Sequence, residues 1–318
     1  MPSAPVTRFA PSPTGPLHLG HAYAALMGAH LAAAVPGGRF LLRIEDLDQG
    51  RARPAFEAGI LEDLSWLGLR WEEPVMRQSQ RAAAYGEAVE RLSAQGLVYP
   101  CFCTRKDILA EIERSASAPH GPDGPLYPGL CRDRGLDEIK ARRRAGETPA
   151  LRLDMAKAIK QAGRPIRFRE LGAGPGGENG VINADPAQFG DIVLVRKDAP
   201  ASYHLSVVVD DAAQGISLVT RGQDLFPATH VHRLLQILLG LPEPAYWHHG
   251  LVTDEEGRRL AKRDGARALA TLRDQGVGPE RIKADLKASM GSMPPMAWPP
   301  GPEPSPGRPQ GERRRSIR

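Results

Sequence analysis

Residues 13–21 read Pro-Thr-Gly-Pro-Leu-His-Leu-Gly-His, and no other stretch says more about the fold. A short apolar run, Val6 to Phe9, precedes this stretch, and an Ala/Leu-rich run, Ala22 to Val35, follows it. The first run favours a strand and the second favours a helix, so His18 and His21 lie where a strand passes into a helix N-terminus. Backbone amides and the helix dipole attract phosphate there, and residues three apart share one helix face. The stretch therefore predicts a site for the phosphates of ATP.

The rest of the N-terminal region alternates strand-like and helical patterns. Phe40 to Ile44 favours a strand, whereas Pro54 to Leu67 and Arg81 to Ala94 favour helices. This alternation predicts an α/β fold with a parallel sheet covered by helices.

Gly20, between the two histidines, would let a flat base approach the backbone. The competing interpretation is a helix start with two incidental histidines, which a lone motif would favour.

The motif is accompanied by four others in a fixed order. They are Arg43-Ile-Glu45-Asp46-Leu-Asp48, Tyr203-His-Leu-Ser-Val-Val-Val-Asp210-Asp211, Arg221-Gly-Gln-Asp224 and Arg259-Leu-Ala-Lys262-Arg263. With Arg8 to His21, this set resembles the class I aminoacyl-tRNA synthetases of the glutamyl/glutaminyl branch, whose two signatures are HIGH and KMSKS. The resemblance extends from about Val6 to about Ala270. It implies a Rossmann-like parallel sheet with a small inserted α+β zinc-binding subdomain.

Residue composition, hydrophobic pattern and the family resemblance together predict five segments. They are 1–100 and 187–249 as the halves of the Rossmann-like catalytic domain, 101–186 as the inserted zinc-binding or acceptor-type subdomain, 250–289 as the KMSKS-like loop with short helices, and 290–318 as a disordered Pro-rich basic tail. This tail does not resemble the family's usual C-terminal helix. It is either an extension of this lineage or an aberrant end of the reading frame.

Finer expectations follow within these segments. Strands are expected at Leu151–Met155, Ile166–Leu171, Asp191–Arg196 and Tyr203–Val209, and helices at Ala228–Leu239, Leu269–Gln275 and Pro279–Ala288. Gly172 to Gly177 is similar to a phosphate-binding loop, but no helical pattern follows it, which favours a plain loop inside the insertion.

Bulk properties restrict the class of protein only loosely. The 318 residues are 25% charged and 41% hydrophobic, as in an ordinary globular protein. The net charge of +5 is a weak sign of RNA binding, because residues 289–318 alone carry five Arg and two Glu. Lys140 to Arg144 could contact phosphates, although a solvated helix face is the simpler interpretation. Without a signal pattern or a long apolar run, a cytoplasmic protein that is not bound to membranes is expected. A monomer is expected as well.

All three cysteines, Cys101, Cys103 and Cys131, fall within one short region and suggest a structural zinc site. Zinc needs a fourth ligand, and generic chemistry would choose His120 over Tyr127. The glutamyl-queuosine tRNA(Asp) synthetases, a short branch of the family, have C-x-C followed by Y-x-x-x-C here, which implies Tyr127 instead. Three reduced thiols without a metal are the alternative.

The resemblance also assigns roles to the motif residues. His18, His21 and Lys262 would be catalytic and, with Gly20, would bind ATP, which enters with Mg²⁺. Ala261 stands where the family often has Ser, so one hydroxyl donor is missing. The family's glutamate-binding positions are occupied by Arg8, Ala10, Ser12, Glu45, Tyr203 and Arg221.

The chemistry of glutamate agrees with this set of residues. Arg8 or Arg221 suits the carboxylates, while Glu45 and Tyr203 suit the ammonium. The structural alternatives are an Arg43–Glu45 ion pair within a strand and a core tyrosine at position 203.

Two details favour the short branch. Leu225 stands where the discriminating enzymes usually have His, and few residues follow Lys262, so no anticodon-reading domain is expected. The resemblance then implies tRNA-independent activation of L-glutamate with ATP and transfer to the queuosine of tRNA(Asp). Three rivals remain open: a fragment of a conventional glutamyl-tRNA synthetase, a small-metabolite nucleotidylyltransferase, and a non-catalytic synthetase-like RNA-binding protein.

Overall fold

The structure, a computed structural model, describes residues 4–114, 120–122, 124–252 and 268–289. The expectations for Ala261 and Lys262, and for the tail 290–318, lie outside the described residues.

The elements of the N-terminal region agree closely with the predicted alternation. They are β1 (Val6–Phe9), α1 (Leu19–Ala33), β2 (Arg39–Ile44), α2 (Pro54–Trp66), β3 (Glu72–Arg77), α3 (Ala82–Ala94) and β4 (Val98–Cys101). β1 pairs with β2 and β2 with β3, in parallel, with α1 and α2 as the crossovers. Gly28 lets α1 pack closely on the sheet, because a Cβ there would lie 3.0 Å from Oγ1 of Thr220.

The central region is built from short elements. They are α4 (Arg105–Arg114), β5 (His120–Gly121), β6 (Gly124–Pro125), α5 (Leu136–Arg144), β7 (Ala150–Leu153) and α6 (Met155–Ala162). None of the residues of α5 is buried, as the interpretation of Lys140 to Arg144 as a solvated face expects.

The remaining elements include the other strands of the parallel sheet. They are β8 (Arg167–Glu170), β9 (Gly180–Asn183), β10 (Val193–Val195), α7 (Tyr203–Ala213), β11 (Leu218–Gly222), α8 (Ala228–Leu239), β12 (Ala245–His249), α9 (Leu269–Asp274) and α10 (Pro279–Ser289). β11 pairs with β12 and β12 with β8 in parallel, and β9 is an antiparallel edge strand. The amide of Ser217 donates to the carbonyl of Val6 at 3.0 Å, which sets β11 beside β1. β4, β7 and β10 form a separate antiparallel sheet.

Two sequence expectations need correction. Tyr203–Val209 is helical, not a strand: Ser202 caps α7 by accepting from the amide of Leu205, and both faces of the helix are largely buried. Its valines had favoured a strand by propensity, and tertiary packing overrides that preference. Ile166–Leu171 does form a strand, β8, but Glu170 pairs with Tyr246 of β12, so this strand belongs to the parallel sheet.

Two large clusters of buried apolar side chains support the sheet. One joins α1 and α2 to β1 and β2, and it also receives Leu269 and Ile282 from α9 and α10. The other lies among α3, α6, α7 and α8. None of the helices within the described residues is long and apolar enough to cross a membrane.

Candidate active site

A cavity of about 230 Å³ lies at the carboxyl ends of the parallel strands, beside the N-terminus of α1. This is the edge at which open parallel sheets bind ligands. The structure brings eight of the predicted site residues into its lining: Arg8, Ala10, His18, Gly20, His21, Glu45, Tyr203 and Arg221. Ser12 is exposed and is not part of this lining.

His18 and His21 cap the N-terminus of α1. Nδ1 of His18 accepts from the amide of Gly20 at 3.1 Å, and Nδ1 of His21 accepts from the amide of His18 at 3.2 Å. An imidazole whose Nδ1 accepts and which is neutral carries its proton on Nε2. Both rings, with centroids 3.8 Å apart, therefore present an N–H donor of the kind that phosphate oxygens accept.

Both ends of the segment that holds Lys262 adjoin this cavity. Leu251, just before the undescribed residues, lines the cavity. Ala268, just after them, forms a β-bridge with His18, and the amide of Leu269 donates to the carbonyl of Leu17 at 2.9 Å.

Arg8 is occupied by groups of the protein itself. Its Nε donates to Oδ1 of Asp211 at 2.9 Å, and its Nη1 donates to the carbonyl of Thr220 at 2.9 Å. Arg43 also donates to Asp211, at 2.7 Å. Burial opposes the charge of Asp211, but the two arginines prevail and lower the pKa of that carboxyl. Asp211 thus neutralises part of the positive charge beneath the cavity.

Arg221 has different surroundings. This guanidinium is only 6% exposed. Its partners among the described residues are two neutral histidines, a threonine and a tyrosine. Nε donates to Nε2 of His248 at 3.0 Å and Nη2 to Oγ1 of Thr229 at 2.7 Å. Nη1 lies 3.4 Å from Oη of Tyr203 and 3.2 Å from Nδ1 of His232. A buried cation without a carboxylate partner is costly, so this cavity favours an anionic ligand.

Glu170 and His248 fix the orientation of Arg221. Because Arg221 can only donate, Nε2 of His248 must accept, and its Nδ1–H then donates to Oε2 of Glu170 at 2.6 Å. Burial, helped by Arg221, lowers the pKa of His248 to about 2, so the ring is neutral. Burial raises the pKa of Glu170 to about 7, although the amides of Gly172 and His248 donate to Oε1 and oppose this rise.

Glu45 supplies negative charge to the cavity. Arg43 donates to it at 3.2 Å, so the ion pair considered from the sequence exists, and Glu45 lines the cavity as well. Burial raises its pKa, while Arg43 and Arg8 oppose the rise. Tyr203 is one-third exposed at the cavity wall, which excludes the core tyrosine considered from the sequence.

A second cavity, of about 240 Å³, adjoins the first. It shares Tyr203, Asp224 and Leu225 with the first cavity and continues to His204 and Pro227. The site therefore has room for a second ligand beside the cavity that Arg221 lines.

The three cysteines lie together at the end of β4. The Sγ atoms of Cys101, Cys103 and Cys131 all lie within 4.8 Å of one another. Oη of Tyr127 lies 3.4 Å from Sγ of Cys101 and 3.6 Å from Sγ of Cys103. Sulfur atoms on one tetrahedral zinc ion are separated by about 3.8 Å, so this donor set fits zinc. The side chain of His120 lies outside the described residues.

Sequence reasoning missed several residues that shape the site. Asp211 closed one of the quoted motifs but received no role, and His248 stood unremarked in the His248-His249 pair that ends an apolar run. Glu170, Thr229 and His232 had no local signal, because only the tertiary fold brings Thr229 and His232 to Arg221 and Glu170 to His248.

The comparisons with known proteins agree with the motifs. Residues 5–290 match the family of class I tRNA synthetases (E and Q), catalytic domain. The chain is 53% identical to a glutamyl-Q tRNA(Asp) synthetase of Rhodobacter capsulatus, over 87% of this chain and 98% of the relative. It is 46% identical to a glutamyl-Q tRNA(Asp) synthetase of Nocardia farcinica, over 90% of this chain and 85% of the relative.

Longer relatives match as well. A glutamate–tRNA ligase 1 of Halorhodospira halophila is 38% identical, over 87% of this chain and 56% of the relative. The crystal structure of a glutamate tRNA ligase from Elizabethkingia meningosepticum, in complex with its amino acid, has a TM-score of 0.67 and 30% identity, over 83% of this chain and 53% of that one. The chain thus spans about half the length of these two ligases. It belongs to the class I tRNA synthetases of the glutamyl and glutaminyl type, a family of ligase enzymes.

Proposed function

We propose that this protein activates L-glutamate with ATP, without tRNA, and transfers the glutamyl group to the queuosine base of tRNA(Asp). The single observation that carries the amino-acid part is Arg221, a buried cation in the cavity whose described partners are all uncharged. The names of the relatives in Rhodobacter and Nocardia support the acceptor.

Glutamate would be held by complementary charges. Arg221 takes the side-chain carboxylate, because Arg8 is already paired with Asp211. The ammonium group faces Glu45 and the hydroxyl of Tyr203, both of which line the cavity. The α-carboxylate is then left to react.

Activation would take place at the N-terminus of α1. An oxygen of the α-carboxylate attacks the α-phosphorus of ATP, which enters as its magnesium complex, and the bond to pyrophosphate breaks. The Nε2–H groups of His18 and His21 stabilise the charge on the phosphate oxygens, and Lys262 stabilises the departing pyrophosphate. The products of this step are glutamyl-adenylate and pyrophosphate.

Transfer would use the second cavity. A hydroxyl of the cyclopentene-diol of queuosine attacks the glutamyl carbonyl and an ester forms. The bond from the carbonyl carbon to the phosphate oxygen breaks, and the hydroxyl proton passes to the phosphate of the departing AMP. The acceptor would approach through the space that Asp224 and Leu225 border, because the first cavity is filled by glutamyl-adenylate.

Zinc would brace the region around Cys101, Cys103, Tyr127 and Cys131 without entering the reaction. When bound, it would cross-link the end of β4 to the loop before α5 and so stabilise the fold.

Transfer of radiolabelled glutamate to purified tRNAs tests this proposal. We expect label on queuosine-containing tRNA(Asp) and none on the same tRNA from cells that lack queuosine. Labelling of tRNA(Glu) instead would support the conventional synthetase, and labelling of no tRNA would contradict transfer altogether.

A further inference from the structure

His249, the last residue of β12, lines the same cavity but has no role in the reaction described above. Neighbouring residues of a strand point to opposite faces of the sheet. His248 faces Arg221 and Thr229, whereas His249 faces α1, where its ring meets the ring of Tyr23 edge-on at 4.9 Å between centroids. His249 is therefore on the side of the cavity that holds the phosphate-binding histidines.

The hydrogen bonding of His249 leaves one acceptor unused. Nδ1 lies 2.8 Å from the carbonyl oxygen of Gly250, which can only accept, so the proton is on Nδ1 and Nε2 carries a lone pair. The residue is 7% exposed, and Nε2 has no hydrogen-bond partner anywhere in the part of the chain that the structure describes. Burial also lowers the pKa of His249, which keeps the ring neutral. A buried acceptor without a donor is costly, and a ligand could supply the donor.

We propose that Nε2 of His249 accepts a hydrogen bond from a donor on the nucleoside of ATP, either the adenine amine or a ribose hydroxyl. This inference rests on the proposed function for the nucleotide, ATP, and for the positions of its phosphates and of glutamate. The phosphates are anchored at His18 and His21 on α1, so the nucleoside continues along the α1 side of the cavity. Glutamate, held at Arg221, occupies the other side. His249 is thereby assigned as a residue that determines nucleotide specificity.

Nucleotide analogues test the assignment in the unaltered enzyme. Glutamate-dependent pyrophosphate exchange is measured with ATP, with purine riboside triphosphate, which lacks the amine, and with 2′-deoxy- and 3′-deoxy-ATP. We expect one analogue to have a kcat/KM about tenfold below that of ATP, and this analogue identifies the donor. Equal kcat/KM values for all four nucleotides would overturn the proposal.

Variants assign that discrimination to His249. His249→Phe keeps a ring against Tyr23 but has no acceptor. The kcat/KM for ATP should therefore fall about tenfold, whereas the kcat/KM for the discriminated analogue should stay as it is in the unaltered enzyme. His249→Gln, which restores an acceptor, should recover part of the discrimination. His30→Phe, at an exposed position of α1, is the matched control. An equal loss for every nucleotide would show that His249 acts through packing, and would overturn the proposal.

Binding separates this inference from the proposed function. Calorimetric titration of ATP and its analogues without glutamate should show the same discrimination and its loss in His249→Phe. A protein that discriminates in binding but performs no exchange would contradict the proposed function and leave this inference standing. A protein that performs glutamate-dependent exchange but binds ATP and its analogues equally would support the proposed function and contradict this inference.

Discussion

Arg221 and Arg8 line the same cavity, yet only Arg221 is available to bind a carboxylate. Arg8 forms an ion pair with Asp211, so its charge is compensated within the protein. The described partners of Arg221 are a tyrosine, a threonine and two histidines, which orient its guanidinium without neutralising it. Because no described carboxylate contacts Arg221 directly, its charge would let this site select an acidic amino acid.

Replacing Arg221 should therefore affect glutamate binding above all. In Arg221→Gln the KM for glutamate in pyrophosphate exchange should rise about 100-fold, because the carboxylate loses the buried cation proposed to bind it. The KM for ATP should change little. Arg169→Gln, on the exposed face of β8, is the control. An unchanged KM for glutamate would show that Arg221 is merely structural.

Glu170 should make glutamate binding depend on pH. Its pKa is about 7, so below that pH it becomes protonated and donates to Nδ1 of His248. The proton of His248 then moves to Nε2, which can no longer accept from Arg221. We predict that the KM for glutamate rises as the pH falls below about 7. Glu170→Gln, which mimics the protonated form, should have a KM about tenfold higher at every pH and no such dependence. Parallel pH profiles for the two proteins would contradict this mechanism.

At the scale of elements, Asp191 joins the cysteine region to the rest of the fold. It lies just before β10. It accepts one hydrogen bond from the hydroxyl of Tyr99 on β4, at 2.5 Å, and another from the first amide of α6, at 2.9 Å. Arg132, next to Cys131, donates to it at 2.7 Å. One buried carboxylate thus connects β4, α6 and the loop that carries the third cysteine.

Loss of this carboxylate should destabilise the protein. Asp191→Ala should lower the free energy of unfolding by about 3 kcal/mol, because it leaves a buried hydroxyl, an amide and a guanidinium without their partner. Asp198→Ala, which removes an exposed carboxylate paired with Arg196, should cost less than about 0.5 kcal/mol. Denaturant titration measures both, and equal effects would refute the connecting role of Asp191.

Metal analysis tests the cysteine site. The purified protein should contain about one zinc per chain, and Cys131→Ser should remove it. Tyr127→Phe should weaken retention of zinc against a chelator, whereas His120→Ala should retain it as the parent does. Loss of zinc in His120→Ala with full retention in Tyr127→Phe would reverse the assignment of the fourth ligand.

Local patterns predicted the helices better than the strands and their pairing. The Ala228–Leu239 helix was predicted with the bounds it has, since its apolar residues recur at helical spacing. The prediction of a strand that includes Val207–Val209 was wrong. β-Branched residues favour strands, but a serine cap and buried neighbours stabilise a helix here. The partner of β8 lies far along the chain at β12, and no local signal reveals such a pairing.

Across the chain, one cavity is assembled from residues between Arg8 and Leu251. Motifs at fixed spacing predicted eight of the residues that line this cavity. They could not reveal Glu170 or His232, which support Arg221 from behind and depend on how β8 and α8 pack against the sheet. The family match over residues 5–290 and the identities to glutamyl-Q tRNA(Asp) synthetases agree with this assembly.

Glutamate-dependent ATP–pyrophosphate exchange by the purified protein, with no tRNA present, is the test on which this account depends. Exchange should occur with glutamate and not with aspartate or glutamine, because Arg221 requires a carboxylate at the distance that glutamate provides. Lys262→Ala should abolish it while leaving the unfolding temperature unchanged. Absence of glutamate-dependent exchange, even after zinc is supplied, or exchange that begins only when tRNA is added, would contradict the account.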